Sequence, residues 1–236
     1  MTAQPHIQLD ASLGIDRAIV VGDPARVGKF RPFLSDAADL AYNREFRSLA
    51  GAYRGVRVLV LSTGVGAPSA GIAAEELVNI GVTTIVRVGS AGAMRQGIGL
   101  GELIIGTGVV RDDGLSARYV KRSFPAVPSP RLLSRALELA PSAHFGIIRS
   151  HDGFYMDDNE AVEAYWSGKG VLGADMESGI LLTLGLLRGF EALSILNNVV
   201  LYQDDLAAGV NSLVGGEDAV AAGERASIEL ALNIVT

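Results

Sequence analysis

Six short segments of the 236-residue chain are runs of aliphatic and β-branched residues with few polar interruptions. Ala18–Gly22 (AIVVG), Val56–Ser62 (VRVLVLS), Thr84–Gly89 (TIVRVG), Glu102–Val110 (ELIIGTGVV), Phe145–Ser150 (FGIIRS) and Ala192–Leu201 (ALSILNNVVL) are predicted strands. Strict alternation marks a sheet wetted on one face, whereas several of these runs are continuous, as in a sheet covered on both. Between them, Ala/Leu-rich stretches predict helices at Ala67–Ile80, Pro130–Ala140, Asn159–Ser167, Met176–Arg188 and Glu217–Val235. Within the last, Ala222–Leu232 is amphipathic and is read as a packing element. Strand and helix alternate, which gives an α/β fold: a central mixed, mainly parallel sheet flanked by helices on both faces. No Pro/Ser-rich linker, charge block or internal repeat divides the chain, so 1–236 is read as a single domain.

Composition narrows the class. Apolar residues make up 49%, enough for a full core, while charged residues are only 19%, which points to a large buried fraction or to subunit contacts. The formal net charge of −6 argues against a nucleic-acid binder. No apolar run reaches 18 residues and no signal-peptide pattern opens the chain, so a membrane-free, cytoplasmic protein is expected. Zero cysteines exclude disulfides, thiolate zinc sites and cysteine nucleophiles. The three histidines, His6, His144 and His151, are too scattered to suggest a metal site.

Ligands of α/β sheets sit beyond the carboxyl ends of the strands, so polar residues at those ends are the candidates. At Gly22-Asp23-Pro24-Ala25-Arg26, a strand enters a glycine and a helix start, which offers free N–H groups and a guanidinium to an anion. The alternative is an ordinary turn with Asp23 as the cap. Arg87 interrupts an apolar strand, and a buried cation must meet a carboxylate or a bound anion. Ser90 and its glycine neighbours then let a ligand approach the backbone. At Ala174-Asp175-Met176-Glu177-Ser178, two acids open a helix. They either cap it or hold hydroxyl groups with Glu177. The GxG of Gly64-Val65-Gly66 lacks the rest of a dinucleotide fingerprint. The pairs Asp112-Asp113, Asp157-Asp158 and Asp204-Asp205 read as turn or helix-start residues. Phe154-Tyr155 falls between a strand and a helix, where an aromatic pair packs or stacks on a planar ligand.

Taken together, these segments resemble the hexameric or trimeric nucleoside phosphorylase family, which holds purine nucleoside and uridine phosphorylases. The resemblance covers nearly the whole chain. It runs through Pro5-His6-Ile7, the GDPARV of Gly22–Val27, Asn43-Arg44-Glu45-Phe46, Ser62 to Leu77, the RVGSAG of Arg87–Gly92 and the ADMES of Ala174–Ser178. It implies a phosphate site of Gly22, Arg26, Arg87 and Ser90, with Arg44 supplied by a neighbouring subunit. The ribose site would be Met176 and Glu177, with His6 from the neighbour, and Phe154 would pack on the base. Arg87 and Glu177 would be the catalytic pair. It further implies a homo-oligomer, a hexamer built from dimers that share active sites. Nucleoside and phosphate would be its only partners, with no metal and no cofactor, because phosphate is itself a co-substrate.

Two departures bear on the base. The family's purine enzymes often place an acid or amide where this chain has Val200, and Asp204 follows four residues later. The uridine enzymes carry a Gln and an Arg where Asp158 and Glu160 stand, and two acids cannot make those donor contacts. The segment Phe154–Met176 also lacks the insertion typical of the uridine enzymes. A 6-oxopurine nucleoside is therefore the first expectation and uridine the alternative. A water-using nucleosidase or a storage homologue would have no use for Arg26, Arg44 and Arg87 together.

Overall fold

The computed structural model describes residues 2–204 and 218–236. Its strands are β1 (Arg17–Val21), β2 (Ser35–Asn43), β3 (Phe46–Tyr53), β4 (Val56–Ser62), β5 (Thr84–Ala93), β6 (Leu103–Asp112), β7 (His144–His151), β8 (Gly173–Asp175) and β9 (Glu191–Val200). Its helices are α1 (Pro24–Val27), α2 (Ala67–Asn79), α3 (Ser116–Tyr119), α4 (Pro130–Leu139), α5 (Asn159–Ser167), α6 (Ser178–Arg188) and α7 (Asp218–Val235). All nine strands join one mixed sheet in the order β2-β3-β4-β1-β5-β8-β7-β6-β9, and β9 returns to pair with β5. The strands from β5 to β9 thus close a ring, while β1 to β4 extend from it as an open wing.

Helices cover both faces of the wing, and alternate strand residues divide between them. Ala18, Val20, Leu59, Leu61 and Ile85 pack with α2 and α6 on one side. Ile19, Val21, Val58, Val60, Val86 and Val88 pack with α4 and α7 on the other. Both positions of the pleat are buried, which is why these strands read as unbroken apolar runs.

Besides the short β8 and α3, which the sequence did not suggest, three places differ from the sequence expectation. The β2–β3 hairpin was not foreseen, because SDAADLAYN is poor in strand formers and lies largely exposed at the sheet edge. Its antiparallel register with β3 makes it a strand, and a two-residue tip at Arg44-Glu45 closes it, with Arg44 at φ +54°. The segment after Gly89, expected as a loop, continues β5 to Ala93. There it pairs with β8 and follows β9 through an irregular register at Ala91–Gly92. Finally, α6 begins at Ser178 rather than Met176. Asp205 and Glu217 lie outside the described residues.

Candidate active site

Strand β1 runs parallel to β4 and β5, and β5 to β9, so their carboxyl ends open on one side of the sheet. A cavity of about 360 Å³ lies there, within the ~300–1,000 Å³ usual for small-molecule sites. Its walls bring together Gly22, Arg26, Arg87, Ser90, Phe154, Met176 and Glu177, seven candidates drawn from distant parts of the chain.

Arg87 anchors the floor. Its Nε donates to Asp175 Oδ2 at 3.0 Å and its Nη2 to Glu177, while Nη1 is buried with no partner among the described residues. Burial works against this cation, but Glu177 and Asp175 outweigh it and hold the guanidinium protonated, above the ordinary arginine value. The side chain lies over Gly89, where an added Cβ would stand 2.6 Å from Nη2 and 2.8 Å from Cζ. Of the readings open for Arg87, the carboxylate partners are present, and one donor side is left over.

The two acids divide their work. Asp175 accepts from the Ser178 N–H at 3.1 Å and from the hydroxyls of Ser178 and Ser150, so it caps α6 and pins Arg87 at once. Glu177 makes no cap to its own helix. Its Oε1 instead accepts the Gly66 N–H at 2.5 Å, at the start of α2. Gly66 sits at φ +95°, a conformation that favours glycine. Burial raises the Glu177 carboxyl above the usual range, with Arg87 and the Gly66 and Met176 N–H groups pulling the other way. The hydrogen bonds from Gly66 N–H and Arg87 Nη2 engage two of its roughly four acceptor positions.

Arg26 is buried beside this pair. Its Nη2 donates to Ser90 Oγ at 3.0 Å, its Nη1 approaches the Val88 carbonyl at 3.5 Å, and its Nε meets Glu224 Oε1 of α7 at 2.8 Å. Burial lowers its pKa and Glu224 opposes that shift. The free N–H groups expected at the start of α1 are not all free, because Ala25 N–H is taken by Asp23 Oδ1 at 2.8 Å. The guanidinium, not the helix start, is what this segment offers an anion. Gly22 and Gly64 are bonded backbone to backbone at 2.9 Å, and a Cβ on Gly22 would lie 3.3 Å from the Gly64 carbonyl oxygen.

Two candidates lie outside this chain's own cavity. His6 is half-buried, with its Nδ1 2.6 Å from Glu76 Oε1 and its ring edge-on to Phe46 at 5.9 Å. Glu76 also accepts the N–H groups of His6 and Ile7, which ties the first residues to α2. Arg44 stands exposed at the tip of the β2–β3 hairpin.

The far end of the cavity is built differently. Phe154 packs edge-on to Tyr155 at 4.8 Å, and Val199, Val200 and Leu201 line the same cavity. Asp204 reaches the lining without rearrangement, because a turn from Asp204 N–H to the Leu201 carbonyl folds the chain back. Asp158 and Glu160 are exposed and do not line the cavity. Arg149, His151, Asn159 and Glu163 do line it, and none was proposed from sequence as a site residue. Burial and Arg149 push the His151 pKa down, while burial and Glu160 push the Glu163 carboxyl up against an opposing Gln203 N–H. Asn159 and Glu163 lie one turn apart on α5, so a search at strand ends passes over them. Among the described residues, no cluster of three or more His or acidic side chains has the arrangement to hold a metal. No described helix is long and apolar enough to cross a membrane.

The chain belongs to the phosphorylase superfamily, whose model matches residues 16–228. The fold agrees with nucleoside phosphorylase structures, and the enzymes of this family need no cofactor, with phosphate as co-substrate. A guanosine phosphorylase from Halorubrum lacusprofundi is 31% identical over 99% of this chain and 97% of its own length. A uridine phosphorylase from Thermococcus kodakarensis is 37% identical over 74% of this chain and 69% of its own length. Among solved structures, a uridine phosphorylase from Vibrio fischeri in complex with 6-hydroxy-1-naphthoic acid superposes with a TM-score of 0.93. It is 44% identical, covering 100% of this chain and 97% of that one. A purine nucleoside phosphorylase from Toxoplasma gondii in complex with immucillin-H gives 0.88 at 28% identity, covering 99% and 95%.

Proposed function

We propose that the protein cleaves the N-glycosidic bond of a nucleoside with inorganic phosphate, releasing the free base and a pentose 1-phosphate. One observation carries this reading: an N–H edge of Arg87, buried and without a partner among the described residues, in a cavity that also holds Arg26, Ser90 and the Glu177 carboxylate. In this reading Gly22, Arg26, Arg87 and Ser90 take phosphate, Met176 and Glu177 take the ribose, and Phe154 packs on the base. A phosphate oxygen forms the new bond to C1′ as the C1′–N bond breaks through an oxocarbenium-like state. The base leaves with the bonding pair and takes up a proton. No covalent nucleophile is needed, only orientation and charge stabilisation. Glu177 accepts ribose hydroxyls and lies near the developing positive charge, and Arg87 holds Glu177 while binding the attacking anion.

Arg44 and His6 complete the site from a neighbouring copy, in a homo-oligomer that is a hexamer built from dimers sharing active sites. Both residues lie outside their own chain's cavity, which supports this reading. Arg44→Ala and Arg87→Ala homomers are each expected to be nearly inactive. Mixed pairs with reciprocal sites should regain up to about half of a native pair's activity, since one pocket receives both lesions and the other neither. No recovery after verified subunit exchange would return Arg44 to its own chain.

For the base, a 6-oxopurine ribo- or deoxyribonucleoside is the reading we favour. Asp158 and Glu160 are turned to solvent, the wall at Val199–Leu201 is apolar, and Glu163 offers an acceptor suited to a ring N–H. Uridine is the second reading, favoured by the 44% identity to the Vibrio fischeri enzyme. The deciding experiment incubates guanosine, inosine, adenosine and uridine with and without phosphate and assays free base and sugar phosphate. Equal base release without phosphate would make the protein a nucleosidase. Preference for uridine over every purine would reverse the base assignment.

A further inference from the structure

The helix α7 brings an acid to the cavity's phosphate end that the reaction as drawn does not use. Glu224 is buried, its side chain 9% exposed, on a helix face otherwise formed by Val220, Gly223, Ser227 and Ile228. A carboxylate in such a place is costly unless paired. It has two cations: Arg26 Nε at 2.8 Å on Oε1, and Lys29 Nζ on Oε2. We infer that Glu224 is the positioning residue for Arg26, so that the C-terminal helix sets phosphate affinity without touching either substrate.

The donor count on Arg26 argues for more than a structural bridge. A guanidinium has five N–H groups in a fixed fork. Glu224 takes the Nε side, Ser90 one hydrogen of Nη2, and the Val88 carbonyl one of Nη1. Two N–H groups remain without partners among the described residues, on a side chain that lines the cavity. Holding the Nε side fixes where those two point. Charge argues the same way, because Arg87 and Arg26 are like charges whose proximity works against the Arg26 cation. A counter-charge behind Arg26 keeps it at its post. The helix itself is seated closely, since a Cβ on Gly223 would lie 2.2 Å from the Gly101 carbonyl oxygen and 2.3 Å from Asn197 Oδ1. Glu224 is therefore presented from a fixed place.

This inference rests on the reading of Arg26 as a phosphate ligand, and the test separates the two. Calorimetric titration of the full-length protein with inorganic phosphate is the readout, beside the KM for nucleoside and the melting temperature. Arg26→Ala should weaken phosphate ~100-fold and Glu224→Gln ~10-fold, as loss of a charge-assisted contact and loss of its support. The nucleoside KM should stay within about twofold in Glu224→Gln, a split that general loosening of the fold does not produce. The double variant should bind phosphate no more weakly than Arg26→Ala alone, since both act through one guanidinium. Glu224→Asp keeps the charge but withdraws it by one methylene, and should fall between wild type and Glu224→Gln. It carries the test should the glutamine variant fail to fold. Unchanged or tighter phosphate binding in a folded Glu224 variant, with Arg26→Ala impaired, overturns this inference alone. Unimpaired phosphate binding in Arg26→Ala overturns the phosphate site and the inference with it.

Discussion

The two ends of the cavity are built on different principles. At the proposed phosphate end, Arg87, Ser90, Asp175 and Glu177 stand on or just after strands, while Arg26 and Glu224 come from helices α1 and α7. All but the half-buried Ser90 are buried, and they engage one another: Arg87 with Asp175 and Glu177, Arg26 with Glu224 and Ser90. At the base end, the walls are the Phe154 loop, helix α5 and the turn after β9, where Tyr155 is 87% exposed and Asp204 lies open. A strand-borne network holds its members in one geometry, whereas loop walls can change residue by residue without disturbing the core. This contrast explains how relatives named for guanosine and for uridine can share one fold.

The comparison can be broken first at the rigid end. Glu177→Gln keeps the shape but removes a charged acceptor, and kcat/KM should fall ~10²-fold or more. Normal kinetics in the folded variant would take Glu177 out of the site. Next comes Gly89→Ala, whose methyl must displace the Arg87 guanidinium from a place fixed by two carboxylates. A loss on the order of 10-fold, concentrated in the phosphate KM, is expected. A silent substitution would show that Arg87 has room to move. At the open end, Glu163→Gln should shift the ratio of kcat/KM for guanosine and adenosine by roughly threefold to tenfold, with the phosphate KM unchanged. A constant ratio would remove Glu163 from base recognition.

The smallest effect is the pH dependence of stability that Glu177 confers. Its folded-state pKa is raised above 4.5 by burial, so the folded protein holds that proton more tightly than the unfolded chain does. The stability it contributes is present below the unfolded value and fades as pH rises through the folded one. From acid to neutral pH, the melting temperature of the wild type should fall relative to that of Glu177→Gln across that window, and the two should run parallel outside it. Parallel curves throughout would mean that Arg87 cancels the effect of burial.

The chain announced the rigid end better than the open one, for physical reasons. Strands buried on both faces leave unbroken apolar runs, so a cation such as Arg87 or a glycine such as Gly22 stands out against them. The hairpin β2–β3 owes its form to pairing at a sheet edge, and its Asp/Ala-rich first strand carries no such signal. Asp175 was noticed beside Glu177, but its grip on Arg87 depends on β8, a three-residue strand too short for periodicity to reveal. Asn159 and Glu163 face the cavity from a helix whose pattern looks like any half-exposed surface. Glu224 sits in a segment read as a packing helix. It is one, and the acid became meaningful only once the fold brought it to Arg26.

That last pairing also bears on how the protein is made. Lys29 and Glu224, the outer pair of the cluster, are 195 residues apart in sequence. A ribosome delivers β1 and α1 well before α7, with most of the sheet made in between. Until α7 docks, Arg26 lacks Glu224, the larger of its counter-charges, and withdrawing it from water is less favourable. The nascent chain therefore has reason to keep this corner hydrated and open while the intervening elements are made, closing it only when α7 docks. A chain stopped short of α7 would be released with the floor of its pocket in place and one of its cationic walls unset.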